Sequence, residues 1–363
     1  FQPIKKIVSH AALKLSYSLT GDRGPGLSNS TAIIASSSPF RPFTSVQESG
    51  LILSTLGNDE LTYEKKTEFN LGIDLGFLEN RINVAMDVYT RDNHDLIGTT
   101  RTQGVGGEIA KFANIASMKS HGFELSVSSN NIKTKDFSWN TDFIYSIYKN
   151  EVTDLNAIAT TMDYVSGTGF TMVGYPHRGL FSIPFAGLDS NGIPMFYNEK
   201  GEITSTDLSF QSSDDFSWLK YEGPTEPTFT GSLGNSFTYK NVHLNVFFTY
   251  SGGNVVRLDP VFSYRYSDLT ATTREFKNRW MVPGDENRTN VPTILSYRQY
   301  YENAELRNAY SAYNYSTERV AKGGFIRLKE ISVAYDFPKK WLSALKVSNV
   351  SLKLQATNLC LLY

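Results

Sequence analysis

Apolar and polar residues alternate along much of this chain with the two-residue period of a β-strand that has one greasy face and one wet face. Between positions 81 and 91, Ile82, Val84, Met86 and Val88 share one face, while Arg81, Asn83, Asp87 and Arg91 share the other. Between 69 and 77, Phe69, Leu71, Ile73, Leu75 and Phe77 oppose Asn70, Gly72, Asp74 and Gly76. The link Leu78-Glu79-Asn80 is short, so the two runs read as a β-hairpin. The same code returns at 13–19, 123–127, 137–147, 229–239, 242–250 and 350–356. Gly231 and Asn235 interrupt the apolar face of the run at 229–239. No long window carries a helical period. In 325–337 the phase slips: Ile326 and Leu328 are even, Ile331, Val333, Tyr335 and Phe337 odd. Either a β-bulge or a strand leaving the bilayer produces such a slip.

Alternation alone suits a soluble sandwich, a propeller or a membrane barrel. Three features favour the barrel. The clear runs are about 9–11 residues long, enough to cross a bilayer at a tilt. Aromatics gather near run ends (Tyr17, Phe77, Tyr89, Tyr239, Tyr250, Tyr335, Phe337), as in an interfacial girdle. The polar faces are rich in Asn, Asp, Ser, Thr and Gly, suited to a wet lumen. The connections are also unequal. Leu78-Glu79-Asn80 and Lys240-Asn241 are tight, whereas 92–119, 150–226 and 252–322 read as long loops. Short turns at one end and long loops at the other form the outer-membrane pattern. The expectation is an all-β, antiparallel transmembrane barrel segment of roughly a dozen long strands. Ile82, Val84, Met86 and Val88 should face lipid, and Asn83 and Asp87 the lumen.

Composition narrows the alternatives. The 363 residues carry 35 Lys+Arg against 36 Asp+Glu, which argues against a basic nucleic-acid binder. The single cysteine, Cys360, excludes an internal disulfide framework. There is no stretch of 18 apolar residues for a helical span, and Phe1-Gln2-Pro3-Ile4-Lys5-Lys6 has no signal-peptide core. On the barrel reading, an export signal would lie upstream of this sequence.

Catalytic and metal chemistry finds no purchase. His10, His94, His121, His177 and His243 have no metal-ligand spacing. Asp189-Ser190-Asn191-Gly192 begins like a calcium loop, but later carboxylates are misplaced, and Asn-Gly favours a turn. Gly104-Val105-Gly106-Gly107 lacks a strand–turn–helix frame for a dinucleotide, and Asp214-Asp215 is an adjacent pair of solvated carboxylates. The reading is of a non-enzyme with no catalytic residue, cofactor or metal. Long-loop aromatics are the candidate site instead. Tyr175, Phe181, Trp218, Tyr221 and Trp280 could stack on sugar rings or peptide side chains, or meet a partner protein. Packing of the loops against one another is the plainer role for each.

Several phrases taken in order resemble one family. They are Ser120-His121-Gly122-Phe123-Glu124-Leu125; Gly174-Tyr175-Pro176; Gly187-Leu188-Asp189 with Gly192-Ile193-Pro194-Met195-Phe196; Asn278-Arg279-Trp280 with Pro283-Gly284-Asp285; Phe325-Ile326-Arg327-Leu328-Lys329-Glu330-Ile331; and Leu354-Gln355-Ala356-Thr357-Asn358-Leu359. Together they are similar to the C-terminal barrel portion of SusC-like (SusC/RagA-type) TonB-dependent outer-membrane transporters. The resemblance implies a barrel of about 22 strands closed around an N-terminal plug. It implies that 1–363 is part of one barrel domain, with the plug and the final strands outside it. It further implies import of oligosaccharides or peptides across a Gram-negative, Bacteroidetes-like outer membrane. A SusD-like surface lipoprotein would act as lid, and TonB–ExbB–ExbD would supply energy through the N-terminal part. A soluble β-rich binding module, a surface adhesin and a passive porin are the competing functions.

Overall fold

The computed structural model describes residues 7–23, 32–38, 40, 45–56, 58–104, 110–212, 215–261, 273–342 and 347–362. Eighteen strands form within them. β1 (Val8–Asp22) precedes a small hairpin of β2 (Ala32–Ser37) and β3 (Gly50–Leu56). Four long strands follow: β4 (Glu64–Phe77), β5 (Ile82–Arg101), β6 (Ala110–Lys133) and β7 (Phe137–Leu155). Short strands β8 (Gly179–Ser182), β9 (Phe185–Leu188), β10 (Pro194–Tyr197), β11 (Ile203–Thr204) and β12 (Lys220–Pro224) lie in the next connection. The hairpin β13 (Phe229–Tyr239) and β14 (Val242–Gly252) comes next, then β15 (Val255–Arg257), β16 (Val320–Lys322), β17 (Phe325–Asp336) and β18 (Ser351–Leu361). Nine strands make one antiparallel sheet in the order β1-β4-β5-β6-β7-β13-β14-β17-β18.

Register explains the alternation. Leu15, Leu71, Val88, Phe123, Ile147 and Phe229 are successive cross-strand partners, ending on Gly252. Two rows along the same face, Leu75, Val84, Val127, Phe143, Leu233, Phe248 and Leu328 do the same. These rows build one apolar face across the sheet, the lipid-facing side of a transmembrane barrel. Leu13, Leu15, Tyr17 and Leu19 are 68–73% exposed on it. Ile82, Val84 and Met86 are half-buried and Val88 is exposed, so no closed core covers them. The opposite face carries Lys14, Asp74, Asp87, Glu124 and Ser146; Lys14 pairs with Asp74, and Arg91 holds Glu68 at 2.8 Å.

Where expectation and structure differ, the reasons are physical. Nine strands, not a dozen, form the sheet among the described residues, because the strands outrun the bilayer. β6 has 24 residues, about 80 Å when extended. Much of the link expected at 92–119 is strand: Leu96 pairs with Ala116 and Arg101 with Ala110. Apolar residues there are adjacent (Leu96, Ile97) or scattered (Phe112, Ile115, Met118) and the register shifts twice, so alternation vanishes while the backbone ladder continues. Tyr89 belongs to no girdle. Its register puts it on the polar face, 7% exposed, beside Gly122, where an added Cβ would meet the ring at 2.4 Å. The phase slip in β17 is a bulge at Lys329, since β14 pairs Phe247 with Glu330 and Phe248 with Leu328. The extra residue keeps Leu328 and Ile331 on one face.

Gly231 breaks the apolar face for a similar reason. Tyr250 lies across it and donates its hydroxyl to the Ile144 carbonyl at 2.9 Å, so β14 reaches over β13 to β7. A Cβ on Gly231 would stand 2.2 Å from the Tyr250 hydroxyl. Asn235 accepts from Trp139 Nε1 at 2.9 Å and from the Thr141 hydroxyl at 2.7 Å, so it enters the apolar face already paired.

The tight turns share one end of the sheet. Leu78, Glu79 and Asn80 all take left-handed conformations, φ 52°, 56° and 60°. The links β6–β7 and β13–β14 are equally brief. At the other end stand the long β7–β13 and β14–β17 connections. With Tyr89 and Val152 set aside, the buried apolar residues lie between Ala159 and Tyr313, in these connections.

Candidate functional site

The long connections fold into a packed layer at one end of the sheet. Thr160 caps helix α1 (Thr161–Val165), its backbone N–H and hydroxyl both donating to Asp163 at 2.8 and 2.9 Å. Asn303 caps the longer helix of the 252–322 connection, α3 (Ala304–Asn314), which buries Leu306, Ala309, Tyr310, Ala312 and Tyr313; the shorter α2 (Tyr297–Glu302) precedes it. Both connections contribute to one apolar cluster, from Tyr164, Val165, Phe181, Ile183 and Phe196 on one side to Leu306, Tyr310 and Tyr313 on the other.

Two arginines tie the layer together, Arg257 across both connections and Arg319 within the second. Arg257 donates to the Phe181, Val165 and Ser316 carbonyls at 2.7, 3.1 and 2.9 Å and to the Ser182 hydroxyl at 3.0 Å. Burial lowers its pKa to about 10, with Glu222 opposing the shift. Arg319, 3% exposed, pairs with Glu275 and donates to the Asp259 carbonyl at 2.6 Å.

The sequence candidates separate in this layer. Tyr175, Phe181 and Tyr221 meet: Phe181 lies 5.2 Å from Tyr175 and 5.4 Å from Tyr221, ring centre to ring centre. Phe181 is 1% exposed, so it offers no surface to a ligand or lid; its role is packing, imposed by Tyr164, Tyr175 and Tyr221 around it. Burial raises the Tyr221 phenol above its ordinary pKa. Trp218 is half-buried at the edge of the same cluster. It lines a cavity of about 170 Å³ with Asn198, Lys200, Asp207 and Ser209, its indole N–H donating to the Asp215 carbonyl at 3.2 Å. Trp280 lies flat over the turn at Gly192, where a Cβ would meet the ring at 2.5 Å; its indole N–H donates to Glu286 at 2.9 Å. That turn is the suspected calcium loop. Asp189 Oδ1 accepts from the N–H of Asn191 and of Ile193, both at 2.8 Å, closing the turn. Among the described residues no group of three His, Cys, Asp or Glu could hold a metal. Val105, Gly106, Gly107 and Asp214, parts of motifs weighed above, lie outside the described residues. Sequence reasoning missed Arg257 and Arg319, since a lone loop arginine carries no mark of the carbonyls it will meet.

No protein-family model matches the chain. TonB-dependent receptor P3 of Formosa agariphila is 25% identical over 371 residues, covering 95% of this chain and 34% of that protein. TonB-dependent receptor SusC of Bacteroides thetaiotaomicron is 27% identical over 316 residues, covering 78% and 27%. This is a SusC-like barrel segment. A solved structure of the RagAB peptide transporter superposes with a TM-score of 0.75 at 22% identity, over 98% of this chain and 38% of that one, so the SusC-like sequence has the matching fold. The chain spans about a third of the length of the curated relatives it matches. The apolar face of the sheet matches the lipid-facing side of such a barrel.

Proposed function

We propose that this segment is the wall and mouth of a TonB-dependent importer. The full protein would carry oligosaccharides or peptides inward across the bacterial outer membrane, capped by a SusD-like surface lipoprotein. TonB–ExbB–ExbD would drive it through the N-terminal part of the full protein. One observation carries the reading: a wall that is apolar outside and polar inside ends, on one side only, in a loop layer with its own packed core. A passive pore has no need of so large an ordered mouth; a lid and a selected cargo do. Trp218, beside Asn198, Lys200 and Asp207, and Trp280, on its turn, would touch cargo or lid, while Tyr175 and Tyr221 pack the core against which Trp218 lies.

The test uses the full-length protein in native outer membranes. Tyr297→Ala alters the mouth without entering its core, Tyr297 being 78% exposed, and Trp218→Ala removes the cavity-lining indole at the core's edge. Lipoprotein co-purification and uptake of labelled glycans and peptides are then measured. The proposal predicts that wild type retains a lipoprotein and that at least one variant weakens its retention or the uptake. A wild-type complex that never contains a lipoprotein, or variants that change neither readout, would overturn it.

A further inference from the structure

The lipid-facing wall has a hollow. At the mouth end of β13, β14 and β17, residues Phe229, Tyr250, Gly252, Val255, Phe325 and Ile326 line a crevice of about 540 Å³. That is within the roughly 300–1,000 Å³ of ordinary ligand pockets. Register shows how it arises. Phe229 and Gly252 are partners, as are Tyr250 and Ile326, so all four positions belong to the outward apolar face. Gly252 has no side chain, and Phe229 leans into its place, where a Cβ would meet the ring at 2.6 Å. Gly253 and Gly324 complete a wall with little side-chain bulk.

One charged side chain lines the hollow itself, and it is cationic. Lys322 is the crevice's charged lining residue, and no carboxylate pairs with it among the described residues. The apolar band ends on the row Val88, Phe123, Ile147 and Phe229. The next outward row places Lys149 directly opposite His121. Lys149 also lines a second hollow with Pro227, Thr228, next to Phe229 in the chain, and Glu226, whose carboxylate faces Arg178 at 3.8 Å. Lysines just beyond the edge of an apolar band stand at headgroup depth, where they attract anionic lipid.

We propose that this crevice is a specific site for an anionic lipid of the outer leaflet. An acyl chain would lie against Phe229, Tyr250, Val255 and Ile326, and the acidic headgroup against Lys322, with Lys149 assisting from the next strand. The site rests on the barrel reading of the outward face and is independent of what the transporter imports. The apolar lining excludes a free anion as its natural occupant, because only a chain-bearing molecule gains from burying that surface.

Native mass spectrometry of the full-length protein in neutral detergent tests the site, with titration by phosphatidylglycerol, phosphatidylcholine, glycerol phosphate and inorganic phosphate. Phosphatidylglycerol should be retained as one tight adduct and phosphatidylcholine more weakly, while the two chain-less phosphates neither bind nor displace the lipid. Lys322→Gln should weaken that adduct about fivefold, the effect of one cation at a lipid surface. Gly324→Leu should abolish it by filling the crevice; a Cβ there meets nothing nearer than 3.4 Å, so the backbone leading into β17 accepts a side chain. Lys240→Gln, in a tight turn at the opposite end, should leave it unchanged. Heat-modifiable mobility on gels confirms folding of each variant. Equal retention of both lipids, displacement by inorganic phosphate, or a wild-type adduct in the folded Gly324→Leu protein would each overturn the assignment. Uptake is not a readout here, so failure of the lipid site leaves the import proposal standing, and the reverse.

Discussion

Replacing Gly231 by alanine should destabilise the wall far more than one methyl group ordinarily would. The new Cβ would stand 2.2 Å from the Tyr250 hydroxyl and 2.3 Å from the Ile144 carbonyl. The carbonyl is backbone in a paired strand and yields little, so the Tyr250 ring must leave. Its 2.9 Å hydrogen bond to Ile144 goes with it, about 1 kcal/mol. Overpacking adds about 1–3 kcal/mol, for about 2–4 kcal/mol in total. Tyr250→Phe keeps the ring and loses only the hydrogen bond, about 1 kcal/mol. In the Gly231→Ala background the same Tyr250→Phe change should cost nearly nothing, because the bond is already gone. Urea unfolding of the full-length protein in detergent micelles, followed by tryptophan fluorescence, measures all four corners of the cycle. If Gly231→Ala lies within about 0.5 kcal/mol of wild type, or Tyr250→Phe costs the same in both backgrounds, the strand-spanning role of Tyr250 is wrong.

Other outcomes follow from the same geometry. Val84→Lys should cost about 2–4 kcal/mol in lipid, whereas Asn83→Lys on the lumen face should fold normally; folding yield into vesicles separates them. Gly192→Ala should loosen Trp280, since Gly192 has φ 75° and the ring occupies its Cβ position; a red shift and stronger quenching of tryptophan emission would report it. Arg257→Met should expose the loop layer to protease while the barrel stays intact, because four hydrogen bonds binding its parts are lost together. Arg257→Lys should not restore protection, as an ammonium cannot fork toward so many acceptors.

The wall was largely legible in the sequence because its rule is local. Ile82, Val84, Met86 and Val88 announce their face by spacing alone, and even the phase slip around Lys329 was visible as a slip, though only the ladder shows it to be a bulge. Legibility ended where a strand rises out of lipid: the upper parts of β5 and β6 are strand without alternation. Glycines were opaque for another reason. Gly231 and Gly252 look like interruptions until the aromatic that occupies each vacancy is known, and that aromatic sits on a neighbouring strand. The mouth was least legible. Its aromatics were identifiable as a group, but burial, which separates Phe181 from Trp218, depends on contacts between segments more than a hundred residues apart, such as Phe185 with Tyr313.

The loop layer keeps its oily interior in water, while the wall keeps its oily surface in lipid, and temperature treats these two arrangements differently. Hiding apolar groups from water carries a large heat-capacity change, so its grip relaxes on cooling. The wall has no such dependence on water structure, since its side chains meet hydrocarbon in either case and its backbone ladder holds it. Chilling should therefore soften the loop layer before it touches the wall, so that one end of the sheet grows looser while its frame stays rigid.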